Sequence, residues 1–323
     1  MIRIAILDDW QNVARDSADW SPVLARADVQ FFRDPFDGED AAARALAPFD
    51  IVLSIRERTP FPASLVQRLP NLRMFGMTGA RAALIDATAL IERGITVCYT
   101  GGGPSGASTA ELALGLMLAA ARRIPAGDAA VRDGRFQQGT SAGPVLAGKT
   151  AGIIGLGRIG ALMARYCRAL DMRVLAWSQN LTAESARAAA ATPVSKDELL
   201  VAADVVSLHL VLSGRTRGIL GAAELARMKP GAILVNTARA ALVDEKALVD
   251  AVQAGRVIAA LDVFHREPLP ATDPLARAAN AVLTPHFGYS ALEVYAEYYR
   301  HTVENVLAFL DGKPIRVLEL PKP

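Results

Sequence analysis

Ala151-Gly152-Ile153-Ile154-Gly155-Leu156-Gly157-Arg158-Ile159-Gly160 is the stretch on which the reading of this chain turns. An apolar strand, Ala151–Gly155, runs into a G-x-G-x-x-G that opens the helical stretch Ile159–Leu170. A further apolar run, Arg173–Trp177, begins within about 30 residues, the spacing that a β-α-β unit requires. The three glycines differ in what they make possible. Gly155 permits the tight turn, Gly157 lets backbone N–H groups approach a pyrophosphate, and Gly160 lets the helix pack closely on the sheet. The helix N-terminus, with Arg158 and Ile159 in its first turn, then faces the anion. The stretch predicts a dinucleotide site.

Working outward, the same alternation of short apolar runs and helical stretches fills the chain, the pattern of an α/β protein with parallel sheets. Downstream strands are expected at Val205–Leu208, Ala232–Asn236, Val257–Leu261 and Ala281–Leu283, which completes the six of a doubly wound dinucleotide-binding domain. Upstream, Arg3–Leu7, Ile51–Ile55, Arg73–Met77 and Ile95–Tyr99 read as strands, with helices at Gly38–Ala47 and Ser64–Leu69. The glycine-dense loop Gly101–Gly106 breaks the pattern, and Ser108 or Thr109 is expected to cap the long helix after it. A second long helix covers Ala291–Leu310, and the segment Ile315–Leu320 is expected to return to the first domain. At 323 residues the chain has room for two domains.

A net charge of +2 gives no reason to expect a nucleic acid or an anionic membrane as partner. Cys98 and Cys167 are far apart, with no disulfide framework or metal-ligand spacing, and read as buried thiols of a reducing compartment. The start, Met-Ile-Arg-Ile-Ala-Ile-Leu-Asp-Asp, lacks the long apolar stretch of a signal peptide, so a cytoplasmic protein is expected. No metal site is expected, since motifs such as H-E-x-x-H are absent.

Past the strand Arg173–Trp177, an NAD site usually carries an acid for the ribose 2′-hydroxyl. Here stand Ser178-Gln179-Asn180. Loss of the carboxylate removes repulsion against a 2′-phosphate, yet no neighbouring Arg or Lys supplies attraction, and Ser178 and Gln179 can hold a hydroxyl. NAD is the expected cofactor and NADP the alternative. His209 and Leu210, at the end of another strand, are placed to border it.

Three chemically capable residues lie just past three successive strands: Arg239, Glu267 and His286. In an open parallel sheet the ligand crevice lies outside those strand ends, on the rim that also carries the glycine loop. Arg239 suits a substrate carboxylate, His286 suits proton transfer, and Glu267 would favour and orient an imidazolium.

Asn236-Thr-Ala-Arg239-Ala-Ala-Leu-Val-Asp-Glu245, Ala260-Leu-Asp262-Val-Phe-His-Arg-Glu267-Pro268 and Thr284-Pro-His286-Phe-Gly288 resemble the signatures of the D-isomer-specific 2-hydroxyacid dehydrogenases, the family that includes phosphoglycerate dehydrogenases and glyoxylate and hydroxypyruvate reductases. The resemblance implies a catalytic set of Arg239, Glu267 and His286, with Thr237, Ala238, Asp262 and Gly288 at the cofactor. It implies a Rossmann-type cofactor domain, 100–289, inserted into a smaller flavodoxin-like substrate domain, 1–99 and 290–323, and a homodimer built through the former. The substrate loop by this resemblance is Thr78-Gly79-Ala80-Arg81. Its Arg81 departs from the family's Gly-x-Gly and is expected to read a second anionic group. Activity is expected on a small 2-oxo or 2-hydroxy acid. The rival of another class is a dinucleotide-sensing corepressor with little turnover; formate dehydrogenase, a second rival, would have Gln where Glu267 stands.

Overall fold

The computed structural model describes residues 1–56, 58–79 and 84–319. The chain divides into two units, residues 1–104 with 291–323 and residues 105–290.

The first unit begins with β1 (Ile2–Ile6), α1 (Ser21–Leu24), β2 (Ala27–Phe31), α2 (Gly38–Leu46), β3 (Ile51–Ser54), α3 (Ala63–Gln67), β4 (Met74–Met77), α4 (Ala87–Glu92) and β5 (Thr96–Tyr99). Its strands pair in parallel in the order β2-β1-β3-β4-β5. That is the flavodoxin-like order of a doubly wound sheet. Strands β3 and β4 are buried along their whole length, which is why they read as unbroken apolar runs. Strand β2 is not apparent from the sequence. It is an edge strand with alternating exposure, and Asp28 and Gln30 interrupt its apolar residues.

The second unit continues with α5 (Ser105–Arg122), α6 (Ile124–Arg132), β6 (Thr150–Ile154), α7 (Arg158–Ala169), β7 (Arg173–Trp177), α8 (Ala183–Ala188), β8 (Thr192–Pro193), α9 (Lys196–Ala202), β9 (Val205–Leu208), α10 (Ala222–Arg227), β10 (Ala232–Asn236), α11 (Glu245–Gln253), β11 (Val257–Leu261) and β12 (Ala281–Leu283). All its strands are parallel, in the order β12-β11-β10-β9-β6-β7-β8. Counted from β8, this is the Rossmann order with a seventh strand added at β12. One apolar core, with Leu199, Leu225 and Leu248, lies under α9–α11; another, with Met117, Met163 and Cys167, lies under α5 and α7. Both faces of the sheet are therefore covered. The six expected strands are present. The two-residue β8 is an addition to them, hidden in the sequence because Thr192–Pro193 carries no apolar pattern.

Helix α5 corrects a second expectation. It begins at Ser105, so Ser108 and Thr109 lie inside it and do not cap it. Their hydroxyls instead donate to the Gly288 carbonyl, at 3.0 and 2.8 Å. This ties α5 to the loop after β12.

The chain then returns to the first unit through α12 (Leu292–Leu310). Beyond it Tyr99 N–H donates to the Arg316 carbonyl and Leu318 N–H to that of Val97, so the last described segment pairs antiparallel beside β5. Among the described residues no helix is long and apolar enough to cross a membrane.

Candidate active site

The turn after β6 is built as its glycines require. Gly155 sits at φ +98°, and a Cβ there would lie 2.7 Å from the His209 carbonyl carbon. A Cβ on Gly160 would lie 2.0 Å from the Gly155 carbonyl oxygen. Both positions are closed to any other residue, whereas a Cβ on Gly157 would meet open space. Gly157 also caps α7 without a side-chain acceptor, which leaves the first N–H groups of a twelve-residue helix to an incoming anion.

Among the described residues two buried polar atoms on the same rim lack a partner, His209 Nδ1 past β9 and Thr237 Oγ1 past β10. A buried polar group without a partner is costly, so these two atoms fit a ligand that supplies the missing bonds. The open glycine, the uncapped helix and the two orphaned atoms together fit a dinucleotide. The other ring nitrogen of His209 lies 2.9 Å from Ser207 Oγ. Burial pushes the imidazole down to about 4, so His209 is neutral at physiological pH. Ser178 and Gln179 follow β7, and Gln179 Nε2 donates to the Arg215 carbonyl at 3.5 Å. Arg158 packs over Gly106, where a Cβ would come within 2.9 Å of its Nε.

The turn after β10 is folded by Asn236, a residue that the sequence presents only as part of a motif. Its side chain accepts from Ala238 N–H and donates to the Arg239 carbonyl, both at 3.0 Å. The turn presents Arg239, whose Nη1 donates to the Ala238 carbonyl at 2.8 Å.

Past β11 and β12 the expected pair is formed. His286 Nδ1 lies 2.7 Å from Glu267 Oε2, and Glu267 Oε1 accepts from Phe264 N–H at 2.9 Å. Burial alone would raise the Glu267 carboxyl, but the hydrogen bond and charge of His286, the Phe264 N–H and the charge of Arg239 outweigh it and hold it below its usual range. An ionised carboxylate only accepts, so Nδ1 carries the proton of this bond and Nε2 is left for other work.

His286 stands at φ +56°, a left-handed conformation that costs a non-glycine residue about 1–3 kcal/mol. Asp262 holds it there. This carboxylate, wholly buried, accepts from Thr284 Oγ1 at 2.6 Å, Phe287 N–H at 2.7 Å and Gly288 N–H at 2.8 Å, bracketing His286 in sequence. Burial raises its pKa, against the pull of those three donors and the charge of His286. Tyr289 adds an edge contact to the imidazole, with centroids 6.0 Å apart.

The other histidines are elsewhere. His265 is exposed, with Nε2 3.1 Å from the Val243 carbonyl. His301 has a side chain only 13% exposed, and its Nδ1 accepts from Gly101 N–H at 3.1 Å within the first unit.

In that first unit, Thr78 and Gly79 follow β4. Thr78 is buried and its hydroxyl accepts from Arg56 N–H at 2.8 Å, while Gly79, at φ +79°, donates to Thr100 Oγ1 at 3.0 Å. Ala80 and Arg81 lie outside the described residues.

A family model for the NAD-binding domain of D-isomer specific 2-hydroxyacid dehydrogenases matches residues 114–288, more than half of the chain. The chain belongs to this family. It is 40% identical to D-3-phosphoglycerate dehydrogenase of Archaeoglobus fulgidus over 81% of its own length and 50% of that protein's. It is 37% identical to hydroxypyruvate reductase of Thermotoga maritima over 79% of its length and 83% of the relative's. Among solved structures, phosphoglycerate oxidoreductase of Vibrio cholerae superposes with a TM-score of 0.91 at 38% identity, covering 97% of this chain and all of the other. The chain spans about half the length of the phosphoglycerate dehydrogenases it matches.

Two outcomes follow for this site. Because the His209 pKa is depressed on folding, its unfolded form takes up a proton first. Stability is full above pH 6.5 and falls, by at most about 3 kcal/mol, as the pH drops towards 4. Urea unfolding of His209→Gln is expected to show that acid limb flattened; an unchanged limb contradicts the assignment. Asp262→Asn replaces one acceptor oxygen by a donor facing a backbone N–H. Hydrogen exchange at the Phe287 and Gly288 amides is expected to accelerate, with kcat down on the order of 10- to 100-fold. Unchanged exchange there contradicts the bracing role.

Proposed function

We propose that this chain is a nicotinamide-dependent D-2-hydroxyacid dehydrogenase, interconverting a small 2-oxo acid and its 2-hydroxy acid. The observation that carries the reading is the His286–Glu267 pair, 2.7 Å apart and within the field of Arg239, on the strand-end rim that carries the glycine turn. When bound, the nicotinamide would supply the hydride in reduction, as NADH, and take it up in oxidation, as NAD. The protein's part is orientation and charge. Arg239 grips the substrate carboxylate through its planar fork and stabilises negative charge at the 2-oxygen. His286, fixed through Nδ1 by Glu267, presents Nε2 as the acid in reduction and the base in oxidation. The glycine turn with Arg158 and Ile159 holds the pyrophosphate; Ser178 and Gln179 hold the adenosine ribose, while His209 and Leu210 border it. Thr237, Ala238, Asp262 and Gly288 line the nicotinamide end. In this reading the second unit is the cofactor domain and the first the substrate domain, its loop Thr78–Arg81 meeting the substrate and Arg81 reading a second anionic group.

The same reading includes a homodimer in the cytoplasm. Ile124, Val131, Phe136 and Val145, all within residues 124–145 of the second unit, are 54–71% exposed, large apolar side chains of the kind a second copy would cover. Cys98 and Cys167 are buried free thiols, pushed up by burial to about 11 and about 12, which suits a reducing compartment.

Oxidation of NADH should be followed against glyoxylate, hydroxypyruvate, pyruvate, phenylpyruvate, oxaloacetate and 3-phosphohydroxypyruvate. At least one is expected to turn over, and His286→Ala is expected to lower kcat about 100-fold or more with a smaller change in KM. Near-normal turnover in that variant defeats the assignment, and dinucleotide binding without turnover of any 2-oxo acid favours a sensor.

A further inference from the structure

The chain leaves the first unit through a short strap, residues 99–103, just before the second unit begins at Ser105. Helix α12, on which the chain returns, holds this strap along one face. Glu297, His301 and Asn305 are spaced by four and so share that face. They meet the strap in order. Asn305 Nδ2 donates to the Tyr99 carbonyl at 3.0 Å, and His301 Nδ1 accepts from Gly101 N–H at 3.1 Å. Glu297 lies against Gly103, where a Cβ would come within 3.0 Å of its Cβ and Cγ. A Cβ on Gly101 would lie 3.0 Å from His301 Cε1, so the imidazole rests directly on the strap's backbone.

The ties differ in their chemistry. Tyr99 is held by neutral groups on both sides: its N–H donates to the Arg316 carbonyl at 3.0 Å and its carbonyl takes the Asn305 amide. Thr100 N–H donates to the Met77 carbonyl at 3.1 Å. Gly101 is held by a ring that titrates. A backbone N–H can only donate, so Nδ1 is the bare nitrogen and the neutral ring carries its proton on Nε2. That nitrogen lies 3.4 Å from Glu297 Oε1 and 2.8 Å from Arg300 Nη2. A second proton turns Nδ1 from acceptor to donor, and the Gly101 N–H loses its partner.

We infer that His301 is a pH-sensitive latch, which holds the strap on α12 through Gly101 when neutral and releases it when protonated. The charged groups around the ring are Glu297, Arg300 and Glu304 on α12 and Arg316 on the terminal segment; residues 100–103 add none. Burial and the charges of Arg316 and Arg300 outweigh the two glutamates and hold the imidazole below its usual 6.5. With the pKa lowered in the folded chain, the latch is closed at neutral pH and opens as the pH falls below 6.5. Residues 101–103 then gain freedom, while Tyr99 and Thr100 stay tied because their partners do not titrate. The latch needs neither dinucleotide nor substrate, so it stands or falls apart from the proposed chemistry.

The test is hydrogen exchange at the Gly101 amide of the full chain between about pH 7.5 and 5, corrected for the intrinsic pH dependence of exchange, with the Thr100 amide as internal reference. Protection at Gly101 is expected to fall about 10-fold on acidification while that at Thr100 holds. His301→Gln, whose side-chain oxygen accepts but does not titrate, is expected to abolish this pH dependence. Nitrogen NMR of the wild-type ring is expected to show the Nε2–H tautomer at neutral pH, titrating with the same midpoint as the loss at Gly101. Protection at Gly101 indifferent to pH, an equal fall in His301→Gln, or an Nδ1–H tautomer at neutral pH overturns the inference.

Discussion

The arrangement depends on one buried carboxylate. Asp262 sits at the end of β11 with both oxygens committed to the loop after β12. A carboxylate out of water must be fully hydrogen-bonded to be tolerated, and this one is satisfied by two backbone N–H groups and a hydroxyl from the stretch that carries His286. The left-handed backbone at His286 is strain that those bonds hold in place. Ser108 and Thr109 brace the same loop from α5 through the Gly288 carbonyl. The histidine is thus locked by the core of its own unit, and Glu267 needs only to set its ring.

That lock explains a division of labour on the rim. Three strands of the second unit end in a backbone device: a forced glycine turn after β6, an Asn236-folded turn after β10, an Asp262-braced loop after β12. Arg239 and His286, the side chains to which the proposed chemistry falls, are carried by those devices. Groups that do chemistry on a rigid scaffold lose little to reorganisation when charge develops.

Much of this was legible in the sequence, for physical reasons. Strands buried on both faces leave unbroken apolar runs, so β6, β7 and β9–β11 could be read nearly residue for residue. The strained turn needs glycine at 155 and 160, so the motif carries its own geometry. The placing of Arg239, Glu267 and His286 past β10, β11 and β12 could be expected because parallel strands point their carboxyl ends one way. What stayed hidden was long-range or half-exposed. Strand β2 alternates as edges do, and β8 is two residues long. The start of α5 was misplaced because Ser108 and Thr109 look like caps but spend their hydroxyls on Gly288. Arg215 meets Gln179 only after the sheet order sets β9 and β7 on either side of β6, and no local window contains both.

The measurement that bears most directly on the account is isotope transfer. NADH deuterated at C4 on the transferable face would be incubated with the protein and a 2-oxo acid, and the product analysed by mass spectrometry and chiral separation. The account predicts a D-2-hydroxy acid with deuterium at C2, formed by the wild-type chain and lost with His286→Ala. Bound cofactor with no label reaching any 2-oxo acid, or label arriving equally in the His286 variant, would contradict it.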